Sequence, residues 1–318
     1  MALDLVTVGV VCADVMVRPV EQMPPRGALT LVPTLEMHVG GLAGVTATVM
    51  CQLGGSAAFI GRVGHDSFGD YLVQTMSASG VDTSHVIRDP DHHSSATVVL
   101  VSHDGERSFL HHIGTTGEVS ERDIPVDVIA KAKVLHWGGP SVTSQLDGAP
   151  MGRVFERVRA LGVKTSMDTC YDGKNIWLPL IEPSLPHLDI VFSSLEEARK
   201  YTGQQDPPAI ADFYQSYGVQ TVVVKLGADG LYARHGAKSC SVPAHRVTVV
   251  DTTGAGDAAC AGFLYGHLEG WDLERFAHLA NAVGGLTVQQ MGGAEAIHSL
   301  DETLEFMENE TCLNSAAS

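Results

Sequence analysis

The stretch VTVVDTTGAGDAACAGFLYG, residues 247–266, constrains the fold of this chain more than any other part of the sequence. An apolar β-branched run, residues 247–250, precedes two threonines and a Gly-Ala-Gly turn, and the small apolar residues after Asp257 have helical character. This order predicts a strand, a tight turn and a helix. At such a helix start, unpaired backbone N–H groups and the helix dipole both favour a bound anion. The turn is therefore a candidate oxyanion site.

Asp257 lies in the first turn of this predicted helix, where its negative charge would repel the bound anion. Its position is explained if the carboxylate accepts a proton from a nucleophile that attacks the anion. The alternative is an aspartate that only caps the helix in a plain strand-to-helix connection. An ordinary aspartate has a pKa of about 3.9, which predicts a weak base and a late proton transfer.

Composition describes an ordinary globular protein and limits its partners. Of 318 residues, 44% are hydrophobic and 18% charged, which allows one large α/β domain or two small ones. The formal net charge of −17 argues against a nucleic-acid partner. The six cysteines have no CxxC spacing and are interpreted as reduced thiols. Residues 1–11 lack the basic start of a signal peptide, and Asp14 interrupts the apolar run, so we expect a cytoplasmic protein without a membrane span.

Strands and helices alternate along most of the chain. Apolar runs at residues 5–11, 57–63, 134–137, 164–168, 189–193 and 221–226 predict strands, and residues 68–76, 151–161 and 195–202 predict helices. This alternation predicts a mostly parallel sheet with helices on both faces. Asp14, just after the first run, is a candidate substrate ligand or a turn residue, because ligands collect at strand ends in such sheets.

Two extended stretches do not fit a plain parallel sheet. Residues 97–101 and 106–113 flank Asp104-Gly105, a hairpin turn signal. Together with the extended residues 30–39 they predict a small second sheet. Within the hairpin, Leu110 and His112 share one face, and Phe109 and His111 share the other.

Two strings now identify a family. DTTGAGD at residues 251–257 resembles the C-terminal signature of the PfkB (ribokinase-like) carbohydrate kinases, and GRVGHDSFG at residues 61–69 resembles their N-terminal signature. The resemblance implies a three-layer α/β sandwich over residues 1–318, with a mostly parallel central sheet. It also implies a small β-sheet lid, inserted from about residues 15–39 and 95–115, that forms a homodimer interface.

The resemblance implies transfer of the γ-phosphoryl group of ATP to a hydroxyl of a sugar or sugar derivative, with Mg²⁺. Asp257 is then the base, and the amides of Gly254, Ala255 and Gly256 form the anion hole. The implied substrate residues are Asp14, Gly40, Gly41, Val45 and His112, with Arg107 as a phosphate-binding alternative to His112.

The resemblance also assigns the nucleotide and metal sites. The implied nucleotide-binding residues are Ser194, Lys225, Gly227, Gly230 and Asn281. Glu197 is expected to bind Mg²⁺ through water. A K⁺ site is expected near Asp251 and Thr253, with backbone oxygens around Val288, Met291 and Gly293.

Three departures from the family pattern leave the acceptor open. Val45 takes a position usually held by Asn, Gly138-Gly139 stands where a carboxylate is common, and Asp168-Thr169-Cys170-Tyr171 replaces an Asp-x-Asn-x string. A free ketose, a sugar acid, a phosphosugar and a sulfosugar all remain candidates. A nucleoside kinase of the same fold is the alternative, and a non-catalytic sugar-binding homologue is a third. The absence of GxxxxGK[ST] and of an early GxGxxG disfavours P-loop kinases and Rossmann dehydrogenases.

Overall fold

The computed structural model describes residues 3–103 and 107–315, with side chains described as far as residue 309. These residues form thirteen strands and nine α-helices. The strands are β1 Leu3–Gly9, β2 Cys12–Arg18, β3 Thr34–Gly40, β4 Ala57–Gly64, β5 Val86–Asp89, β6 Ala96–Val101, β7 Arg107–His112, β8 Ala132–Gly138, β9 Lys164–Asp168, β10 Ile190–Ser194, β11 Thr221–Lys225, β12 Leu231–His235 and β13 Lys238–Val242. The helices are α1 Leu42–Gln52, α2 Ser67–Ala78, α3 Val126–Ile129, α4 Ala149–Ala160, α5 Leu195–Thr202, α6 Pro207–Ser216, α7 Ala255–Leu268, α8 Leu273–Thr287 and α9 Leu300–Ser315.

The central sheet has nine strands in the order β13-β12-β11-β10-β9-β8-β1-β4-β5. The seven strands from β11 to β5 are parallel, and β12 and β13 add an antiparallel edge. Alternate residues of β11 belong to different layers. Val222 and Val224 lie in the apolar cluster that includes residues of α4 and α6, whereas Val223 lies in the cluster that includes residues of α1 and α7. Helices therefore cover both faces, and the predicted α/β sandwich with a mostly parallel sheet is confirmed.

A second sheet of four strands, in the order β3-β2-β6-β7, stands apart from the first. Strands β2 and β6 are parallel, and the outer pairs are antiparallel. The predicted second sheet is thus confirmed, while the predicted turn Asp104-Gly105 lies outside the described residues. Strand β2 was not predicted: β1 ends at Gly9, and after two residues the chain enters the second sheet. Asp14 is the third residue of β2, so its predicted place at the end of a central strand is wrong.

The predicted strand at residues 247–250 is also wrong. In the described part of the chain, residues 243–250 follow the edge strand β13 and belong to neither sheet. Val249 is 50% exposed, and the Val250 amide donates to the Val288 carbonyl oxygen at 2.8 Å. A β-branched run favours extended backbone, but strand pairing needs a partner at the right place.

None of the described helices is sufficiently long and apolar to cross a lipid bilayer. The cysteines described, Cys12, Cys51, Cys170, Cys240 and Cys260, form no disulfide with one another.

The GRVG string has a structural role that centres on Arg62 of β4. Its guanidinium binds Asp89 Oδ2 at 2.9 Å through Nη1, and it binds both Asp123 oxygens at 2.8 and 3.0 Å through Nη2 and Nε. The Asp89 and Asp123 side chains are only 4% and 6% exposed. Arg62 therefore neutralises two buried carboxylates on separate segments.

We expect Arg62→Met to lower the free energy of unfolding by about 3–5 kcal/mol, because it leaves buried carboxylates without a cation. Urea denaturation at pH 7 measures this loss. The matched control is Arg153→Met, whose ion pair with Glu121 involves a side chain that is 56% exposed, and which should cost no more than about 1 kcal/mol. Equal losses in the two variants would contradict this account of Arg62.

Candidate active site

The predicted anion-binding turn forms the N-terminus of α7. Gly254 is the N-cap residue and has a left-handed backbone with φ of 72°. A Cβ atom there would lie 2.4 Å from the Gly293 Cα atom, so a larger residue would displace one of the two segments. The turn therefore requires glycine for its backbone conformation and for close contact with the 292–293 segment.

Asp257 lies in the first turn of α7, close to the start of α1. The Thr46 hydroxyl of α1 donates to the Asp257 carbonyl oxygen at 3.0 Å. Burial raises the pKa of the Asp257 carboxyl to about 7, and repulsion from Asp168 and Glu197 acts in the same direction against the attraction of Lys225. The side chain predicted to be an ordinary weak base is thus a considerably stronger one.

Asp14 occupies the middle of the second sheet, on the same row as three polar residues of its neighbours. His38 of β3 and Thr97 of β6 are its cross-strand partners, and His111 of β7 is the partner of Thr97. The Cys12 thiol donates to Asp14 Oδ1 at 3.2 Å, and Thr97 Oγ1 lies 3.0 Å from His111 Nδ1. Burial raises the pKa of the Asp14 carboxyl.

The two glycines after β3 make room for this carboxylate and for the start of α1. A Cβ atom on Gly40 would lie 2.0 Å from Asp14 Oδ2. Gly41 is the N-cap residue of α1, with φ of 88°. Gly40 therefore lies directly beside Asp14, and the role of Asp14, Gly40 and Gly41 in binding the substrate stays a prediction.

Two predicted substrate residues are placed differently. His112 alternates with His111 and so points to the face of the second sheet opposite Asp14. Val45 is fully buried in an apolar cluster that includes Ala258 and Leu279. Its side chain therefore exposes no surface, and a substrate contact of Val45 stays a prediction. His111 was not predicted as a site residue, because the strand register that aligns it with Asp14 cannot be derived from the sequence of β7 alone.

The carboxyl ends of three adjacent strands contribute the predicted nucleotide-side polar groups. Ser194 ends β10 and forms a capping box with Glu197 of α5. Glu197 Oε2 also accepts from Thr169 Oγ1 at 2.9 Å, and burial raises the pKa of the Glu197 carboxyl. Lys225 ends β11, and its Nζ atom lies 2.8 and 2.7 Å from the two oxygens of Asp168, which ends β9. The importance of Asp168 was not predicted.

Three other predicted nucleotide residues line the segment beyond β11. Gly227 begins a short 3-10 turn, and Gly230 follows it with φ of 94°. A Cβ atom on Gly230 would lie 1.9 Å from the Val242 carbonyl oxygen. The Asn281 amide of α8 donates to the Pro243 carbonyl oxygen, which ties α8 to the segment that leads to the anion-binding turn.

The residues of the expected K⁺ site do lie together. The fully buried Asp251 accepts from the Thr253 amide and hydroxyl at 3.0 and 2.7 Å and from the Gly292 amide at 3.2 Å. The Val288 carbonyl oxygen accepts the amides of Val250 and Asp251 at 2.8 and 3.3 Å. Among the residues described, no group of three or more His, Cys, Asp or Glu side chains could hold a metal ion.

The second sheet contacts this segment through two arginines and a histidine. Arg18 Nη1 donates to the Val250 carbonyl oxygen at 3.0 Å, and Arg107 Nη1 lies 3.5 Å from Thr253 Oγ1. His38 binds Glu295 at 2.9 Å and Glu36 at 3.1 Å. The predicted lid is thus tied to both sides of the anion-binding turn. Arg18 and His38 were missed because their partners Val250 and Glu295 are over 200 residues away in sequence.

This combination of fold and site agrees with comparisons to known proteins. The model of the pfkB family of carbohydrate kinases matches residues 2–300. The chain belongs to this family, and it is a carbohydrate or nucleoside kinase.

Individual relatives are named after different acceptor substrates. The 2-dehydro-3-deoxygluconokinase of Bacillus subtilis is 27% identical over 281 residues, which cover 84% of this chain and 86% of the relative. The aminoimidazole riboside kinase of Salmonella typhimurium is 30% identical over 285 residues, covering 84% and 87%. The structure of Arabidopsis thaliana ribokinase complexed with ribose and ATP has a TM-score of 0.81 at 25% identity, covering 97% of this chain and 99% of that one.

We expect the His38 bridge to stabilise the protein more at low pH. Hydrogen bonding to Glu295, then to Glu36, raises the pKa of His38 above its ordinary value. The contribution of this bridge to the stability of the fold is therefore complete below about pH 6.5 and is lost as the pH rises through the folded-state pKa of His38. Denaturation of His38→Gln should show a larger loss of unfolding free energy at pH 6 than at pH 9, of about 1 kcal/mol or less because both glutamates are half exposed.

The control for this measurement is His93→Gln, because the His93 side chain is 86% exposed and its contact with Asp66 is screened by water. It should cause only a small loss of unfolding free energy. A His38→Gln loss that grows with pH would contradict the assignment of His38 as the charged partner.

Proposed function

We propose that this kinase transfers the γ-phosphoryl group of ATP to a hydroxyl of a sugar or sugar derivative, with Asp257 as the base. The observation that carries the proposal is the position of Asp257, which follows directly after the Gly254-Ala255-Gly256 turn and lies near the carboxylates of Asp168, Glu197 and Asp14. Amides of the turn would hold the phosphoryl oxygens as the helix dipole attracts them. The raised pKa of Asp257 suits proton removal from a hydroxyl near neutral pH.

The nucleotide is proposed to bind along the carboxyl ends of β10 and β11 and beside α8. The Arabidopsis ribokinase of the same fold is complexed with ATP, which supports ATP as the nucleotide. Glu197 fits a magnesium-bound nucleotide, because Mg²⁺ prefers carboxylate, water and phosphate oxygens. Bound Mg²⁺ would neutralise phosphate charge, and the contribution of this chain is to hold Glu197 through Thr169 and the Ser194 amide.

A K⁺ ion beside Asp251 stays a prediction. The buried Asp251 carboxylate and Thr253 hydroxyl supply suitable oxygens. The Val288 carbonyl already accepts two amide hydrogens, which occupy the two lone pairs of that oxygen. We propose that such an ion would depend on the oxygens of Asp251, Met291 and Gly293 rather than on Val288.

The acceptor is proposed to lie between Asp257 and the row formed by Asp14, Thr97 and His111. Buried carboxylates and hydroxyls are suited to binding the hydroxyl groups of a sugar. The names of the relatives include a sugar acid kinase and a riboside kinase, so a nucleoside stays the alternative acceptor. A non-catalytic role is less favoured, because Asp257 and its turn are both intact.

The outer face of the second sheet supports a proposed homodimer. The cross-strand row Val15, Met37, Val98 and Leu110 is apolar, and Leu35 on the same face is 66% exposed. Apolar surface of this kind typically marks a protein interface. Analytical ultracentrifugation of Leu35→Lys tests whether this face holds two copies together.

An ATP-consumption screen over sugars, sugar acids, phosphosugars, sulfosugars and nucleosides, with and without K⁺, tests the function itself. Turnover with one class identifies the acceptor. Failure to turn over any class would favour the non-catalytic reading.

We expect Asp257→Asn to abolish transfer, with a fall in kcat of about 10²–10⁴-fold or more, because the amide cannot accept the proton. ATP should still bind, as measured by calorimetry, since the turn keeps its backbone. Asp212→Asn is the control, because Asp212 is 68% exposed on α6. Near-normal turnover of Asp257→Asn would rule out Asp257 as the base.

We expect Gly40→Ala to impair use of the acceptor and not of ATP. The added Cβ atom would displace the Asp14 carboxylate, and misplacing a binding group by about 1 Å can cost on the order of 10²-fold in kcat/KM. Steady-state kinetics with each substrate varied measure the effect. Gly173→Ala serves as the control, since its Cβ atom would meet nothing within 4 Å. An unchanged acceptor kcat/KM would remove Asp14 from the proposed site.

A further inference from the structure

Asp168 and Lys225 form a buried ion pair beneath the anion-binding turn. Their side chains are 1% and 17% exposed, and each Asp168 oxygen lies within 2.8 Å of Lys225 Nζ. The two residues end β9 and β11, separated by β10. The ion pair therefore reaches across β10, and its geometry depends on the register of β9, β10 and β11.

The lysine has a partner for each of its three N–H donors. Two contact the Asp168 oxygens, and Cys260 Sγ lies 3.9 Å from Nζ. Although burial alone would lower the pKa of Lys225, the Asp168 carboxylate in particular holds it above the ordinary value. This arrangement differs from the sequence-based expectation, in which Lys225 is a point charge for a nucleotide phosphate.

The ion pair packs against the turn of α7 that carries Asp257. Cys260 follows Asp257 by three residues and so lies on the same face of the helix. The Cys260 thiol donates to Asp168 Oδ2 at 3.4 Å. A Cβ atom on Gly256 would lie 3.1 Å from Lys225 Nζ, so the ammonium also contacts the residue directly before Asp257.

We propose that Asp168 and Lys225 are positioning residues for Asp257: the Asp168 carboxylate fixes the ammonium beside the turn, and the two charges together set when Asp257 can accept a proton. The inference rests on the proposed role of Asp257 as the base. The inference also gives Lys225 a role other than phosphate binding, because each of its N–H donors already has a partner in this geometry.

The charged groups that face Asp257 come from four elements. Asp168 of β9, Glu197 of α5 and Asp14 of β2 are acidic, and Lys225 of β11 is basic. The neighbouring thiols of Cys12, Cys170 and Cys260 are neutral, because burial raises the pKa of each. The positive charge of Lys225 therefore acts against three negative charges. Removing Lys225 should raise the pKa of Asp257, and removing Asp168 should lower it.

The test is a ¹³C NMR titration of the Asp257 carboxyl in the full chain labelled with [¹³C]aspartate, with Asp257→Asn used to assign the signal. In Asp168→Asn the ammonium loses its counter-charge, so the midpoint should move to lower pH by about one unit or more. In Lys225→Met the nearest cation is lost, so the midpoint should move to higher pH by a similar amount. The double variant should return toward the wild-type midpoint.

The matched control is Asp189→Asn, which removes a carboxylate that is 8% exposed and paired with Lys164 at the opposite end of the strands. It should leave the Asp257 midpoint unchanged. An Asp168→Asn midpoint that stays in place or rises would overturn the proposal, as would a Lys225→Met midpoint that falls. Should Lys225→Met not fold, Asp168→Asn and the double variant decide, since neither leaves Asp168 as an unpaired buried charge.

This measurement needs no acceptor and does not depend on turnover. If Asp257→Asn stays active while the midpoints move as expected, the proposed function fails and the electrostatic coupling stands. If Asp257→Asn is inactive and the midpoints do not move, the function stands and the role of the ion pair fails. Weaker ATP binding by Lys225→Met in calorimetry, with an unmoved midpoint, would instead support a contact of Lys225 with the nucleotide phosphate.

Discussion

The Lys225 ammonium is the charge on which the polar end of the central sheet depends. Parallel strands bring their carboxyl ends to one edge, and here that edge gathers Asp168, Glu197 and Asp257. Removing the cation from a buried ion pair costs about 3–5 kcal/mol, so Lys225 stabilises the close approach of these acids. The same low-dielectric setting that raises the pKa of Asp257 makes Lys225 effective, because water does little to screen its field.

Close helix packing holds this edge in place. Gly262 and Gly266 of α7 leave no space for a side chain, since Cβ atoms there would lie 2.9 Å from Val283 and 2.4 Å from Phe276 of α8. Helices α7 and α8 can therefore approach each other closely, and the Thr46 hydroxyl fixes α1 to the first turn of α7. The turn is packed on several sides, and groups held in place in this way are what phosphoryl transfer requires.

Much of the central sheet could be predicted because its signals are local. The buried strand at residues 164–168 and helix Leu195–Thr202 have the predicted bounds, and the helix ends at Gly203 in the left-handed conformation. The two wrong predictions, a strand at residues 247–250 and no strand at β2, have a shared cause of a different kind. The run at residues 247–250 has strong β propensity and no strand to pair with, while β2 was concealed because only two residues separate it from β1. Strand pairing depends on residues far away in sequence, which local patterns do not report.

The sequence by itself determined the class of reaction, since the DTTGAGD string brings the glycines, the helix start and the acid together within seven residues. Only the tertiary structure decided the partners of those groups. Lys225 pairs with an aspartate 57 residues away, Asp14 shares its row with His111 rather than His112, and Val45 is buried in an apolar cluster. Strand register and burial set these outcomes, and both arise from the packing of the whole chain. Strand register and burial also set the pKa of Asp257 and hence its charge, because a pKa depends on every buried charge nearby.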